Sequence, residues 1–220
     1  MMPRIGIIDS GVGDALSRHV VASCRFGDPG GSRLTRPDSI GHGDALARLA
    51  LHHCPGAELL IAQVFFEERR APVSRVANAL EWLVNTGASV INMSFGLTVP
   101  SGCLTDACTL AASQGALLVA SSPAIGSRAF PAELNECLAV TGDARCGAGD
   151  IAWLGQPHAE LGACPMIVPG QPQFGGGSSF ACARVSGVAA RLLAEGVAPS
   201  LLISHLRKCA RYIGPERCRT

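Results

Sequence analysis

Short, nearly unbroken apolar runs alternate along this chain with longer stretches in which apolar residues recur every three or four positions. The runs at 4–8, 58–65, 88–93, 115–121 and 136–141 have the length and composition of buried strands, not the strict alternation of half-exposed ones. Between them, Gly43 to His53 carries Ala45, Leu46, Leu49 and Ala50 at helical spacing. Pro72 to Asn85 carries Val73, Val76, Ala77, Leu80 and Leu83, with Arg75 and Glu81 off that stripe. Pro72 suits a first helical turn and Gly87 a helix stop. Further helices are expected over Leu104 to Ser113, from Ser178 onward, where small residues such as Ala181 and Ala189 permit close packing, and over Leu201 to Arg211. Gly- and Pro-rich stretches at 27–41, 121–131 and 169–177 read as loops. The alternation predicts an α/β fold, a doubly wound, mostly parallel sheet with helices on both faces. Its strands carry Asp9, Ser94 and Ser121 at their carboxyl ends, where such sheets build sites.

A chain of 220 residues, 48% hydrophobic, is expected to form one domain over 1–220. The formal charge of +1 argues against a nucleic-acid partner, and no apolar run reaches the length of a membrane span. Met1-Met2-Pro3-Arg4 leads straight into the first predicted strand, so neither a secretory signal nor an N-terminal propeptide is expected. Ten cysteines without a secretory signal point to reduced thiols and a cytoplasmic protein, although Cys209 and Cys218 are near enough in sequence to bridge. Cys103 and Cys108 lack zinc spacing and a second pair. Asp143 and Asp150 read as turn residues, and no oxygen-rich calcium loop is apparent. No metal and no cofactor is expected.

Three motifs carry chemistry. Asp9-Ser10-Gly11 closes the first strand, Gly41-His42-Gly43 precedes the first helix, and Gly177-Ser178-Ser179-Phe180-Ala181 opens a late one. Singly, each has a plainer reading: Asp9 as a turn cap, His42 as a loop residue, Ser178 or Ser179 as a helix N-cap. The order Asp, His, Ser is that of subtilisin. Val90-Ile91-Asn92-Met93-Ser94-Phe95-Gly96 and Phe130-Pro131-Ala132 add two more segments in register. The chain resembles the subtilisin-like serine proteases over most of its length.

That resemblance implies a serine endopeptidase. Ser179 would attack a peptide carbonyl, His42 would serve as base then acid, and Asp9 would orient His42. Registration with the family motif selects Ser179 over Ser178. It also implies that Ser94, Phe95 and Gly96 pair with an extended peptide, that Ser121, Ser122 and Ala124 form the opposite wall with Ala129, and that the Phe130–Pro131 bond is cis. Ala124 stands where the family carries the asparagine that helps bind the oxyanion, a loss of about 10² to 10³ in turnover in subtilisin itself. Val140 to Cys146 and the Ser121-Ser122-Pro123-Ala124 run are similar to those of a maturation protease in this family. The implied partner is a leader-bearing peptide or small protein subunit. The alternative is a weak or inactive peptide-binding module on the same fold.

Overall fold

The computed structural model describes residues 2–27, 32–68, 70–126 and 129–216. In chain order the elements are β1 (Arg4–Asp9), β2 (Val20–Arg25), α1 (His42–His53), β3 (Glu58–Gln63), α2 (Val73–Asn85), β4 (Val90–Met93) and α3 (Gly102–Ser113). Then follow β5 (Leu117–Ser121), β6 (Cys137–Gly142), β7 (Ile151–Gln156), β8 (Ala159–Ala163), α4 (Ser178–Ala194), α5 (Leu202–Lys208) and β9 (Tyr212–Ile213). One sheet runs β2-β3-β1-β4-β5-β6-β8-β7-β9, parallel except at the β7–β8 hairpin. The chain leaves β1 toward β3 on one side and returns as β4 on the other, so β1 marks the switch point of strand order. Asp9 sits at its carboxyl end, the place where open α/β sheets gather ligands.

Each face of the sheet has its own core. Ile5, Ile7, Leu59 and Ile61 face α1 and α4, packing with Ala47, Ala50, Val185 and Val188. Ile8, Leu60 and Ile91 face α2 and α3, packing with Val76, Leu80, Leu83 and Leu104. A strand with both faces covered has no polar alternation, which is why β1 and β3 read as continuous apolar runs. No helix among the described residues is long and apolar enough to cross a membrane.

Several boundaries differ from expectation. Strand β3 stops at Gln63 because the N–H groups of Val64 and Phe65 both turn onto the Asp9 carbonyl, at 2.9 and 3.3 Å. Strand β2 and the β7–β8 hairpin carry no clear sequence signal: β2 is half-exposed or exposed except at Cys24, and β7 is broken in register before Gln156. The helix expected over Leu201 to Arg211 ends at Lys208. Arg211 instead donates its N–H to the Ile151 carbonyl at 2.8 Å, carrying the chain into β9 beside β7. Asp143 and Asp150 do act as turn residues, accepting the N–H groups of Arg145 and Gly147 at 3.0 and 2.9 Å. Nine described cysteines carry free thiols, seven of them buried; Cys218 lies outside the described residues.

His53, at the end of α1, makes stability depend on pH. Burial, followed by Arg184, His52 and Arg191, lowers its pKa to about 4 from 6.5, and its Nε2 is buried without a hydrogen-bond partner. Between pH 6.5 and 4 the unfolded chain takes up a proton that the folded chain refuses. The folded state therefore keeps full stability above pH 6.5 and loses it as pH falls toward 4. Allowing for screening, the loss is up to about 2 kcal/mol. His53→Asn is expected to flatten this dependence, measured as the urea midpoint at pH 7 and pH 5.

Candidate active site

Asp9 is 1% exposed, and its carboxylate is surrounded by donors. The Ser10 N–H and hydroxyl donate to Oδ1 at 2.8 and 2.9 Å. His42 Nδ1 lies 2.9 Å from both oxygens. Donation from Nδ1–H fixes the tautomer and leaves the Nε2 lone pair free to take a proton. His42 is the first residue of α1, not part of the preceding loop, so the helix sets its backbone. The entry is held by a second use of Ser10, whose hydroxyl accepts the Gly43 N–H at 3.0 Å. A Cβ at Gly43 would fall 2.3 Å from the Gly11 carbonyl oxygen, so only glycine lets α1 come this close to the turn after β1. Gln63 completes the frame: its Nε2 donates to the Ser10 and Arg36 carbonyls at 2.7 and 3.0 Å.

Ser179 lies in the first turn of α4, which no side chain caps. The orphan N–H groups of that turn are available to a developing anion. Its hydroxyl donates to the Ser94 carbonyl at 3.0 Å, while the Ser94 hydroxyl lies 2.9 Å from the Ser179 carbonyl and 2.8 Å from Asn92 Oδ1. No hydrogen bond joins Ser179 to His42 among the described residues; the Ser179 hydroxyl is directed at the Ser94 carbonyl instead. Catalytic hydrogen bonds of this kind often tighten only when substrate is bound. The His42 ring lies against Phe180, one residue further on, with centroids 5.7 Å apart. Asn92 is 1% exposed and donates to Cys182 Sγ and Ser186 Oγ, each at 3.2 Å. It thus pins the end of β4 to α4. Burial pushes the Cys182 thiol up to about 12, so it stays protonated within one turn of Ser179.

A cleft of about 300 Å³ opens beside Ser179, lined by Ser94, Phe95, Gly96, Ser121 and Ser178 among others. A Cβ at Gly96 would stand 2.8 Å from the Ala129 Cβ. Leu97 and Phe130 close the rim through paired backbone bonds of 2.7 and 3.1 Å, and the Phe130–Pro131 bond is cis. Two expected wall residues do not line the cleft. Ser122 is fully buried and gives its hydroxyl to the His158 carbonyl at 2.6 Å. Ala124 is exposed outside it. The Ser122 N–H is taken by the Val140 carbonyl at 2.8 Å, and Ser121, Pro123 and Ala129 line that wall. The supporting roles of Ser10, Gln63 and Ser186 had no signal in the sequence, because each is a single polar residue that means nothing until the fold supplies its partner.

A family profile described as the subtilase family matches residues 4–202. Subtilisin BL of Lederbergia lenta is 28% identical over 237 residues, covering 96% of this chain and 84% of that protein. M-protease of Shouchella clausii (strain KSM-K16) is 29% identical over 237 residues, covering 96% of this chain and 60% of that one. Among solved structures, the S41 psychrophilic protease shares the fold with a TM-score of 0.77 at 20% identity, over 94% of this chain and 82% of that one. A lanthipeptide protease does so with a TM-score of 0.75 at 19% identity, over 94% and 79%. The nisin leader peptidase NisP from Lactococcus lactis has a TM-score of 0.69 at 20% identity, over 92% and 81%. Matched by that profile over most of its length, the chain belongs to the subtilase family and is a subtilisin-like serine protease.

Proposed function

We propose that Asp9, His42 and Ser179 form the catalytic triad, and that the physiological reaction is removal of a leader peptide from one dedicated substrate. The observation that carries the first part is the His42 Nδ1 contact with both Asp9 oxygens, which leaves Nε2 as the only site for the Ser179 proton. Ser179 then attacks the carbonyl and His42 returns the proton to the leaving amine. With Ala124 outside the cleft, the oxyanion falls to the backbone N–H groups at the start of α4. A hydroxyl of Ser121 or Ser178, both of which line the cleft, would serve as the substitute donor. The expected enzyme is slow and selective, which a protease acting once per substrate molecule tolerates.

The leader-peptide reading draws on one neighbour in fold, the nisin leader peptidase NisP, whose name states such work. The narrower likeness in Val140 to Cys146 and Ser121 to Ala124 points to the protease that matures the small subunit of bacterial quinohemoprotein amine dehydrogenase. That substrate would be met in the cytoplasm. A fluorophosphonate probe is expected to add one adduct per chain, mapped to the Ser179 peptide and absent after Ser179→Ala. Incubation with the leader-bearing small subunit is expected to give two fragments by mass. The rival is a peptide-binding module, favoured by the Ser179–Ser94 hydrogen bond that holds the hydroxyl off His42. It wins if no adduct forms and wild type and Ser179→Ala leave every leader intact.

A further inference from the structure

The cleft is not the largest cavity at the carboxyl edge of the sheet. A second one, of about 490 Å³, lies over the ends of β2 and β3, with Arg36, Pro37 and Ser39 on one side and Phe66, Glu67 and Arg70 on the other. Because β2, β3, β1, β4 and β5 are adjacent and parallel, this cavity, the Asp9–His42 pair and the cleft follow one another along the same edge. At about 4.8 Å per strand, the two cavities are roughly 10–19 Å apart, the span of three to six extended residues.

Three guanidinium groups line this cavity, those of Arg25, Arg36 and Arg70. None of them forms an ion pair or side-chain hydrogen bond among the described residues. Arg25 is half-buried, its guanidinium carbon 3.8 Å from the centroid of the Phe66 ring, and its Nε is buried without an acceptor. Arg75 stacks on the same ring at 4.9 Å, adding a fourth positive charge nearby. Each guanidinium offers five N–H donors and no acceptor, so the cavity has a surplus of donors. Glu67 and Glu68 also line it, but both are exposed, where an ion pair is worth little. The half-buried Arg25 acts through a lower dielectric and governs what the cavity prefers.

We propose that this cavity is a recognition site for an acidic side chain of the peptide substrate, three to six residues from the bond that is cut. The inference rests on the reading of the chain as a peptide hydrolase. An aspartate or glutamate carboxylate would take paired N–H donors from Arg25 and Arg36, while the backbone between lies across Asp9 and His42 to the cleft.

The test uses fluorescently labelled ten-residue peptides in which one glutamate is walked outward from the cleaved bond, each paired with its glutamine counterpart. Binding is read by anisotropy on Ser179→Ala, so that cleavage does not intervene. At one position three to six residues out, glutamate is expected to bind about tenfold tighter than glutamine, the advantage shrinking at high salt. Arg25→Gln and Arg36→Gln should each reduce that ratio toward one. If Arg25→Gln fails to fold, Arg36→Gln, whose side chain is exposed, still decides. Equal binding at every position, a preference for lysine, or an unchanged ratio in Arg36→Gln would overturn the proposal. Failure of wild type to take up the phosphonate would sink the hydrolase reading, whereas a glutamate preference in the same preparation would still uphold this site.

Discussion

Asp9→Asn is expected to fold normally and to lose about four orders of magnitude in kcat, with KM for a leader peptide little changed. The amide oxygen can still accept from the Ser10 N–H and hydroxyl, so the turn after β1 keeps its shape. What changes is the group facing His42. An amide nitrogen there donates a proton, and Nδ1 must accept it. The ring then carries its own proton on Nε2, where no lone pair remains for the Ser179 hydroxyl. His42→Ala is expected to lose more, on the order of 10⁶ as in subtilisin, and the double variant no more than His42→Ala alone, because the two residues act as a unit. The check is steady-state kinetics on a leader-bearing peptide, with thermal melts to show that the fold survives. An Asp9→Asn enzyme within tenfold of wild type would mean that the Asp9–His42 contact serves the fold and not the reaction.

The strands that carry the site were legible because the helices cover them. Ile5, Ile7 and Ile8 face both cores, so β1 appears as an apolar run whose end can be located to within a residue, and with it Asp9. The flanking glycines single out His42, although its place inside α1 has no local signal: the N-cap is Gly41, with φ near +78°, and the first-turn N–H of Asp44 is accepted by Asp38, six residues back and outside the usual cap position. Strand β2 gives no clear period because most of its residues are half-exposed or exposed, and the β7–β9 edge gives none because β7 breaks register before Gln156 and β9 is two residues long. The cleft's far wall was misjudged for a related reason. Registration by motif places Ser121 to Ala124 in one line, but only Ser121 and Pro123 of that line reach the cleft, Ser122 pointing inward to the His158 carbonyl and Ala124 standing exposed outside. The brace of Asn92, Cys182 and Ser186 lies 90 to 94 residues apart in sequence, beyond the reach of any local pattern.

Two glycines set where the proposed base and nucleophile stand, and each has no room for a methyl group. At Gly187, a Cβ would meet the Ala50 carbonyl oxygen at 2.3 Å and its Cα at 2.9 Å, where α4 crosses α1. At Gly43, it would meet the Gly11 carbonyl oxygen at 2.3 Å, against the turn that holds Asp9 and Ser10. Both obstacles are backbone atoms, so no rotamer change relieves them and a helix must move. Gly187→Ala is expected to lower stability by about 1–3 kcal/mol, because it separates two helices whose apolar faces share one core. Gly43→Ala shifts the first turn of α1 against β1 and lengthens the His42–Asp9 contact. A displacement of about 1 Å there is expected to lower kcat/KM about a hundredfold. Adding Ala50→Gly should not rescue Gly187→Ala, since the blocking atoms belong to the main chain and remain. Urea midpoints and leader-cleavage rates on the three variants separate the effects. If Ala50→Gly restored Gly187→Ala, the crossing would be limited by side chains, and α1 and α4 would have more freedom than the close backbone contact allows.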